Sequence, residues 1–149
     1  MSGQLDGVPN SVFPQLTSAN HQITSPKTTA YNCVAWAAQD TKNWWQPGSY
    51  WPTQTDAGNG GLMQLVQLFA DLGYRECAGP EPELGFEKVA LYLDAAGFWT
   101  HAARQLSNGK WTSKLGELED IEHDTPDDVA GGAYGTVAGF MKRAKPQAA

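Results

Sequence analysis

Two residues in this sequence have the side-chain types that perform thiol chemistry together, Cys33 and His101. Cys33 follows Asn32, a good N-cap residue, and precedes the compact apolar run Val34 to Ala38. The pattern predicts a helix over Tyr31 to Asp40 that opens at the cysteine. A thiolate is the nucleophile, and its pKa falls at a helix N-terminus or beside an imidazolium. The unpaired backbone N–H groups of such a terminus also stabilise a developing oxyanion. The plainer role for Cys33 is that of a small buried apolar residue. His101 falls in the middle of a predicted strand, Trp99 to Leu106, facing away from Thr100, Ala102 and Arg104. A histidine fixed on a strand is suited to take a proton from a nucleophile across a sheet–helix seam. The plainer role is a structural histidine. His21 and His123 are its competitors, with His21 in a polar leader that is poor at fixing geometry.

A histidine base needs a partner for its other ring nitrogen. On the segment after the histidine strand, Asp120 is preferred, followed by Ser113 or Glu117, with His123 as an imidazole partner. Lys114 is excluded because an ammonium accepts no hydrogen bond. Glu117 to Asp124 otherwise reads as a solvated acidic loop. Trp44, Trp45, Tyr50 and Trp51 crowd the stretch Asn43 to Pro52. This loop is expected to cover the first helix, with Trp44, Trp45 and Trp51 available to line a substrate cleft. No C-x-x-C or H-x-x-x-H spacing occurs, so neither a metal nor a cofactor is expected. A phosphate-binding loop, a dinucleotide fingerprint and a serine-hydrolase elbow are likewise missing. A redox pair of Cys33 and Cys77 requires their Cα atoms within about 7 Å.

The elements that must position these groups follow from periodicity. Residues 1–29 form a polar leader in which Pro9, Pro14 and Pro26 oppose helix. Leu62, Leu65, Val66, Phe69 and Leu72 recur at helical steps, with Gly73 at the C-terminal cap. Strands are expected at Tyr74 to Cys77, Lys88 to Leu93, Trp99 to Leu106, Lys110 to Leu115 and Tyr134 to Lys142. Ser107-Asn108-Gly109 serves as a hairpin turn. Thr125 to Val129 reads as a helical turn with Pro126 at its first position. Helices followed by strands give an α+β fold, in which an N-terminal cysteine-bearing helix packs on an antiparallel sheet. Residues 30–143 make the domain, and residues 144–149 make a tail.

At 149 residues the chain suits one domain that needs no staple to fold. A formal net charge of −6 disfavours a phosphate-binding surface, so no nucleic-acid partner is expected. Lys142, Arg143 and Lys145 form only a small basic tail. No apolar run nears the ~18 residues of a membrane span, and Met1 to Asn10 lack the regions of a signal peptide. The expected setting is the cytoplasm, or export by a signal-peptide-independent route. Oligomeric state is not set by the sequence.

The blocks Tyr31 to Ala37, Trp44-Trp45, Trp51-Pro52, Gly73-Tyr74 and Glu87 to Ala90 resemble, in order, those of a bacterial domain family. Thr100 to Gln105, Trp111 to Gly116, Ile121 to His123 and Tyr134-Gly135 continue the likeness over residues 30 to 143. More widely they resemble the papain-like superfamily, including NlpC-related amidases and transglutaminase-like hydrolases. The resemblance implies Cys33 as nucleophile and His101 as base. Trp111 to Gly116 offers no acidic residue at the usual place of the third member, and Gln22 is only a distant counterpart of an oxyanion-hole glutamine. A cysteine hydrolase of peptide or protein amide bonds follows, acting as protease, amidase or deamidase, in a setting such as an effector or toxin. The rival is a non-catalytic binding module of the same fold, using the Trp-rich loop.

Overall fold

The computed structural model describes residues 13–17, 19–25, 28, 30–45, 61–115 and 119–145. Seven strands in one antiparallel sheet dominate it: β1 (His21–Ser25), β2 (Arg75–Cys77), β3 (Phe86–Leu93), β4 (Trp99–Gln105), β5 (Trp111–Lys114), β6 (Asp120–His123) and β7 (Thr136–Ala144). Their order across the sheet is β1-β6-β5-β4-β3-β7-β2. Among the described residues, two helices, α1 (Cys33–Ala37) and α2 (Leu62–Asp71), and a short 3-10 helix at Pro126–Val129 complete the set.

This overturns the α+β, papain-like expectation. Strand makes up 38% of the described residues and helix 17%, a β-rich fold with few helices. The difference has local causes. The helix expected to run to Asp40 ends at Ala37, because Gln39 turns into the left-handed region at φ 69° and the Asp40 amide bonds back to the Ala35 carbonyl. Two strands lie where loops were expected. The leader supplies β1, whose His21, Gln22 and Ile23 pair with His123, Glu122 and Ile121. The acidic stretch supplies β6, which pairs with β5 from Trp111↔His123 to Lys114↔Asp120. Residues 21–25 of the leader are therefore part of the sheet.

Other expectations match. α2 buries Leu65, Leu68 and Phe69 and stops at Gly73, where φ is +97°. Gly109, at φ +86°, turns β4 into β5.

Both sides of the sheet are covered. α1 and α2 lay Val34, Ala35, Ala37, Leu65 and Phe69 onto Val89, Leu91, Ala102 and Met141. On the other side Ala90, Tyr92, Ala103, Trp111 and Ile121 pack with Phe13, Val129 and Ala130. β3 serves both layers, which is why Val89 to Tyr92 read as an unbroken apolar run. Each fully buried large aliphatic side chain contributes about 1.5–3 kcal/mol.

Candidate functional site

Cys33 opens α1. Asn32 caps the helix by accepting the Ala35 amide at 3.1 Å, and the same side chain bonds both the amide and the carbonyl of Trp45, at 3.1 and 2.7 Å. One asparagine thus starts the helix and ties the aromatic segment to it. Trp45 itself is core: it is buried, and its indole N–H donates to Asp40 at 2.7 Å. Trp44 is half-buried, and Trp51 and Glu117 lie outside the described residues.

α1 delivers the thiol to a gap in the sheet. β4 pairs with β5 only at Arg104↔Thr112 and Gln105↔Trp111. Further back along β4, the backbone meets the cysteine instead. The Cys33 thiol lies 3.9 Å from the Thr100 carbonyl. Burial pushes the thiol up to about 11, overcoming the backbone amides and the Lys114 cation that act the other way.

The His101 ring projects to the opposite side of β4, beside Tyr92, its partner on β3. Its Nε2 lies 2.9 Å from the Ser113 hydroxyl, bridging the gap that Cys33 fills from the helix side. Ser113 lies 2.8 Å from His123 Nε2, and His123 Nδ1 lies 2.8 Å from the Thr125 carbonyl. These bonds have only one self-consistent direction. A carbonyl only accepts, so His123 Nδ1 carries a proton, and in the neutral ring its Nε2 is then an acceptor. Ser113 donates to that nitrogen and accepts from His101 Nε2–H. His101 Nδ1 is left with the lone pair, and it is buried without a hydrogen-bond partner. Burial drives His101 well below its ordinary value and lowers His123 as well, so the whole chain is neutral.

The structure therefore brings His101, Ser113 and His123 together. Cys33 packs against the backbone around His101 and shares no hydrogen bond with its ring. Asp120, the preferred orienting residue, is elsewhere. It accepts from the Tyr31 hydroxyl at 2.5 Å and pairs across the sheet with Lys114, on the helix side. Alternation explains the correction: on β5, Ser113 and Lys114 point to opposite sides, and Lys114 and Asp120 share the wrong one. The tautomer-setting arrangement Ser113–His123 was visible in sequence only as two members of a longer set of alternatives.

Gln22 lies on β1, at the far edge of the sheet from the β4 gap. Cys33 and Cys77 are free thiols, and Cys77 lies 3.9 Å from the Gly79 carbonyl. Among the described residues no group of three or more His, Cys, Asp and Glu side chains is arranged to hold a metal ion, and no helix is long and apolar enough to cross a membrane.

No curated protein and no solved structure matches the chain. Nothing in these comparisons links it to the papain-like or NlpC-related hydrolases. Residues 22–142 match the family described as Domain of unknown function (DUF7689), a span that holds Cys33, His101, Ser113 and His123. The chain belongs to that family.

Proposed function

We propose that the protein is a cysteine-dependent hydrolase of amide or peptide bonds, with Cys33 as nucleophile and His101 Nδ1 as general base. One observation carries this reading. The chain of bonds from the Thr125 carbonyl through His123 and Ser113 leaves His101 with a buried lone pair at Nδ1, on the residue next to Thr100, whose carbonyl meets the Cys33 thiol. That nitrogen is free to take a proton, and leaving it unbonded in the interior costs about 1–3 kcal/mol.

A resting thiolate–imidazolium pair does not suit this environment, because burial disfavours the charged form of both groups. The proton moves during attack instead. Cys33 turns from the Thr100 carbonyl into the gap between β4 and β5, and His101 Nδ1, reached through that gap, takes its proton as sulfur adds to the substrate carbonyl carbon. The Cys33 amide is one donor to the oxyanion. The imidazolium then protonates the leaving amine, and a thioester forms on sulfur. Water, deprotonated by the same nitrogen, releases the acid and restores the thiol. Ser113 and His123 stay neutral throughout and hold the ring.

The test is acylation by p-nitrophenyl acetate, a small activated ester, followed by intact-mass and peptide mass spectrometry. An acetyl group should collect on Cys33, be absent in Cys33→Ser, and form roughly a hundredfold more slowly in His101→Ala. Equal labelling of Cys33 with and without His101, at the rate of Cys77, would sink the hydrolase reading and leave the binding module.

A further inference from the structure

His101 is fully buried in this conformation and Cys33 is only 6% exposed, so a hydrolytic site built on them has to be uncovered before a peptide can enter. What lies over His101 is known. The Tyr134 ring stacks flat on the imidazole, with centroids 4.1 Å apart and planes 9° apart, and Tyr92 meets it edge-on from β3. Tyr92 belongs to the core, with its hydroxyl bonded to the Pro126 carbonyl at 2.5 Å. Tyr134 is half-buried and sits on a turn, not a strand.

That turn is a small closed unit. The Gly131 amide bonds the Gly135 carbonyl at 2.7 Å, and the Gly135 amide bonds the Gly132 carbonyl at 3.0 Å. Gly135 has φ +70°, and a Cβ there would lie 1.9 Å from the Leu93 carbonyl oxygen, so only glycine fits where the turn meets β7. Two anchors hold the unit down. On the site side, the Thr100 hydroxyl donates to the Tyr134 carbonyl at 2.6 Å, and this is the residue whose carbonyl meets the Cys33 thiol. On the outer side the anchor is the segment ahead of β1. Phe13 packs its ring 5.3 Å from Tyr134, and the Gln15 amide donates to the Ala130 carbonyl at 3.0 Å. The segment has no strand pairing of its own.

We propose that residues 13–15 form a built-in cover for the Cys33–His101 site, holding the Tyr134 ring on the His101 ring until the segment is displaced. The proposal rests on the hydrolase reading for its purpose, but not for its detection. Three aromatic rings, Phe13, Tyr134 and His101, lie in series from the N-terminal segment inward, so lifting the first loosens the second and bares the third. The remaining walls around His101 are β3 and β5, which cannot move without breaking the sheet. Residues 13–15 are held to the rest of the fold through the side chains of Phe13 and Gln15 and open locally at lower cost.

The experiment is carbethoxylation by diethyl pyrocarbonate on the full-length chain, reading His101 by peptide mass spectrometry with His123 as the internal control. Phe13→Ala should raise the rate at His101 about tenfold and leave His123 unchanged. Gln15→Ala, which removes one bond from the surface, should raise it less, and Phe13→Leu should restore most of the protection. If Phe13→Ala fails to fold, Gln15→Ala still decides the matter. No rise at His101 in that folded variant, or parallel rises at His101 and His123, overturns the cover. Should His101 become accessible as described while Cys33 remains inert to p-nitrophenyl acetate, the cover stands and the hydrolase reading falls. If the ester labels Cys33 but protection of His101 ignores Phe13 and Gln15, the reverse holds.

Discussion

β5 and β6 carry two buried polar groups on opposite sides of the same four-residue strands, and the two are built on different principles. On one side Ser113 and His123 join His101 in a neutral, one-way series of hydrogen bonds. On the other, Lys114 and Asp120 meet Tyr31 in a charged cluster: the lysine bonds the Thr28 carbonyl at 2.9 Å and lies over the tyrosine ring at 5.5 Å. The charged cluster fastens the start of α1 to the sheet through Tyr31. The neutral series ends in an unused lone pair. A single step along a strand therefore separates a fastening from the candidate site.

The largest effect should come from breaking the charged cluster. Asp120→Ala removes the Tyr31 hydroxyl's acceptor and the carboxylate beside the buried Lys114, and should cost about 3 kcal/mol in urea unfolding. Asp120 shares no hydrogen bond with the thiol or with the His101 ring, so Cys33 acylation in whatever protein remains folded should persist. Breaking the neutral series at Ser113→Ala should cost about 2 kcal/mol, because it strands nitrogens on two buried rings. Its sharper readout is ring ¹⁵N NMR. In the native chain His101 Nδ1 should carry the chemical shift of an unprotonated nitrogen, and in Ser113→Ala the two tautomers should mix. An unprotonated Nε2 in the native protein would contradict the direction assigned to the series.

The pH dependence separates the two groups further. His101 and His123 are held below their ordinary 6.5 by burial. Below that value the unfolded chain binds protons that the folded chain refuses, so their stabilisation is complete above pH 6.5 and is lost as pH falls towards the folded values. The slope should approach about 1.4 kcal/mol per pH unit for each histidine, and His123→Gln should flatten it by one histidine's share. A melting temperature unchanged between pH 7 and 5 would speak against neutral buried rings. The smallest effect belongs to Thr125→Ala. That residue's hydroxyl bonds Asp128 at 3.0 Å in an exposed pair, worth about 0.5–1 kcal/mol, while its carbonyl anchors His123. The tautomer of His101 should survive this change intact.

How much of this was legible in the sequence depended on how local each cause was. α2 declared itself through a regular apolar face, and the β4–β5 turn through Asn108-Gly109. β6 did not, because Glu119-Asp120-Ile121-Glu122-His123 carries charge on both of its sides. Its Asp120 is bearable in the interior only because Tyr31, 89 residues earlier, meets it there. β1 was masked by the prolines and polar residues around it, and its edge position tolerates Gln22 and Ser25. The pairing of Cys33 with His101 was proposed from residue type, placement and resemblance, and it stays a proposal. Which residue would direct His101 was not legible, since Ser113, Glu117, Asp120 and His123 differ only in which side of a strand they take. The papain-like outline failed for a related reason: a cysteine opening a helix and a histidine on a later strand do not fix how many strands surround them.

The neutrality of the series that ends at His101 has a further consequence, which concerns salt. A catalytic histidine steadied by a carboxylate draws on a charge that dissolved ions can screen, over about 10 Å at 0.1 M and about 3 Å at 1 M. Here the steadying groups are a hydroxyl, an imidazole and a backbone carbonyl, none of which bears formal charge. The medium has nothing to attenuate. Acylation of Cys33 by an uncharged ester should proceed at one rate from dilute buffer to strong brine, an indifference built in by the choice of partners around a single ring.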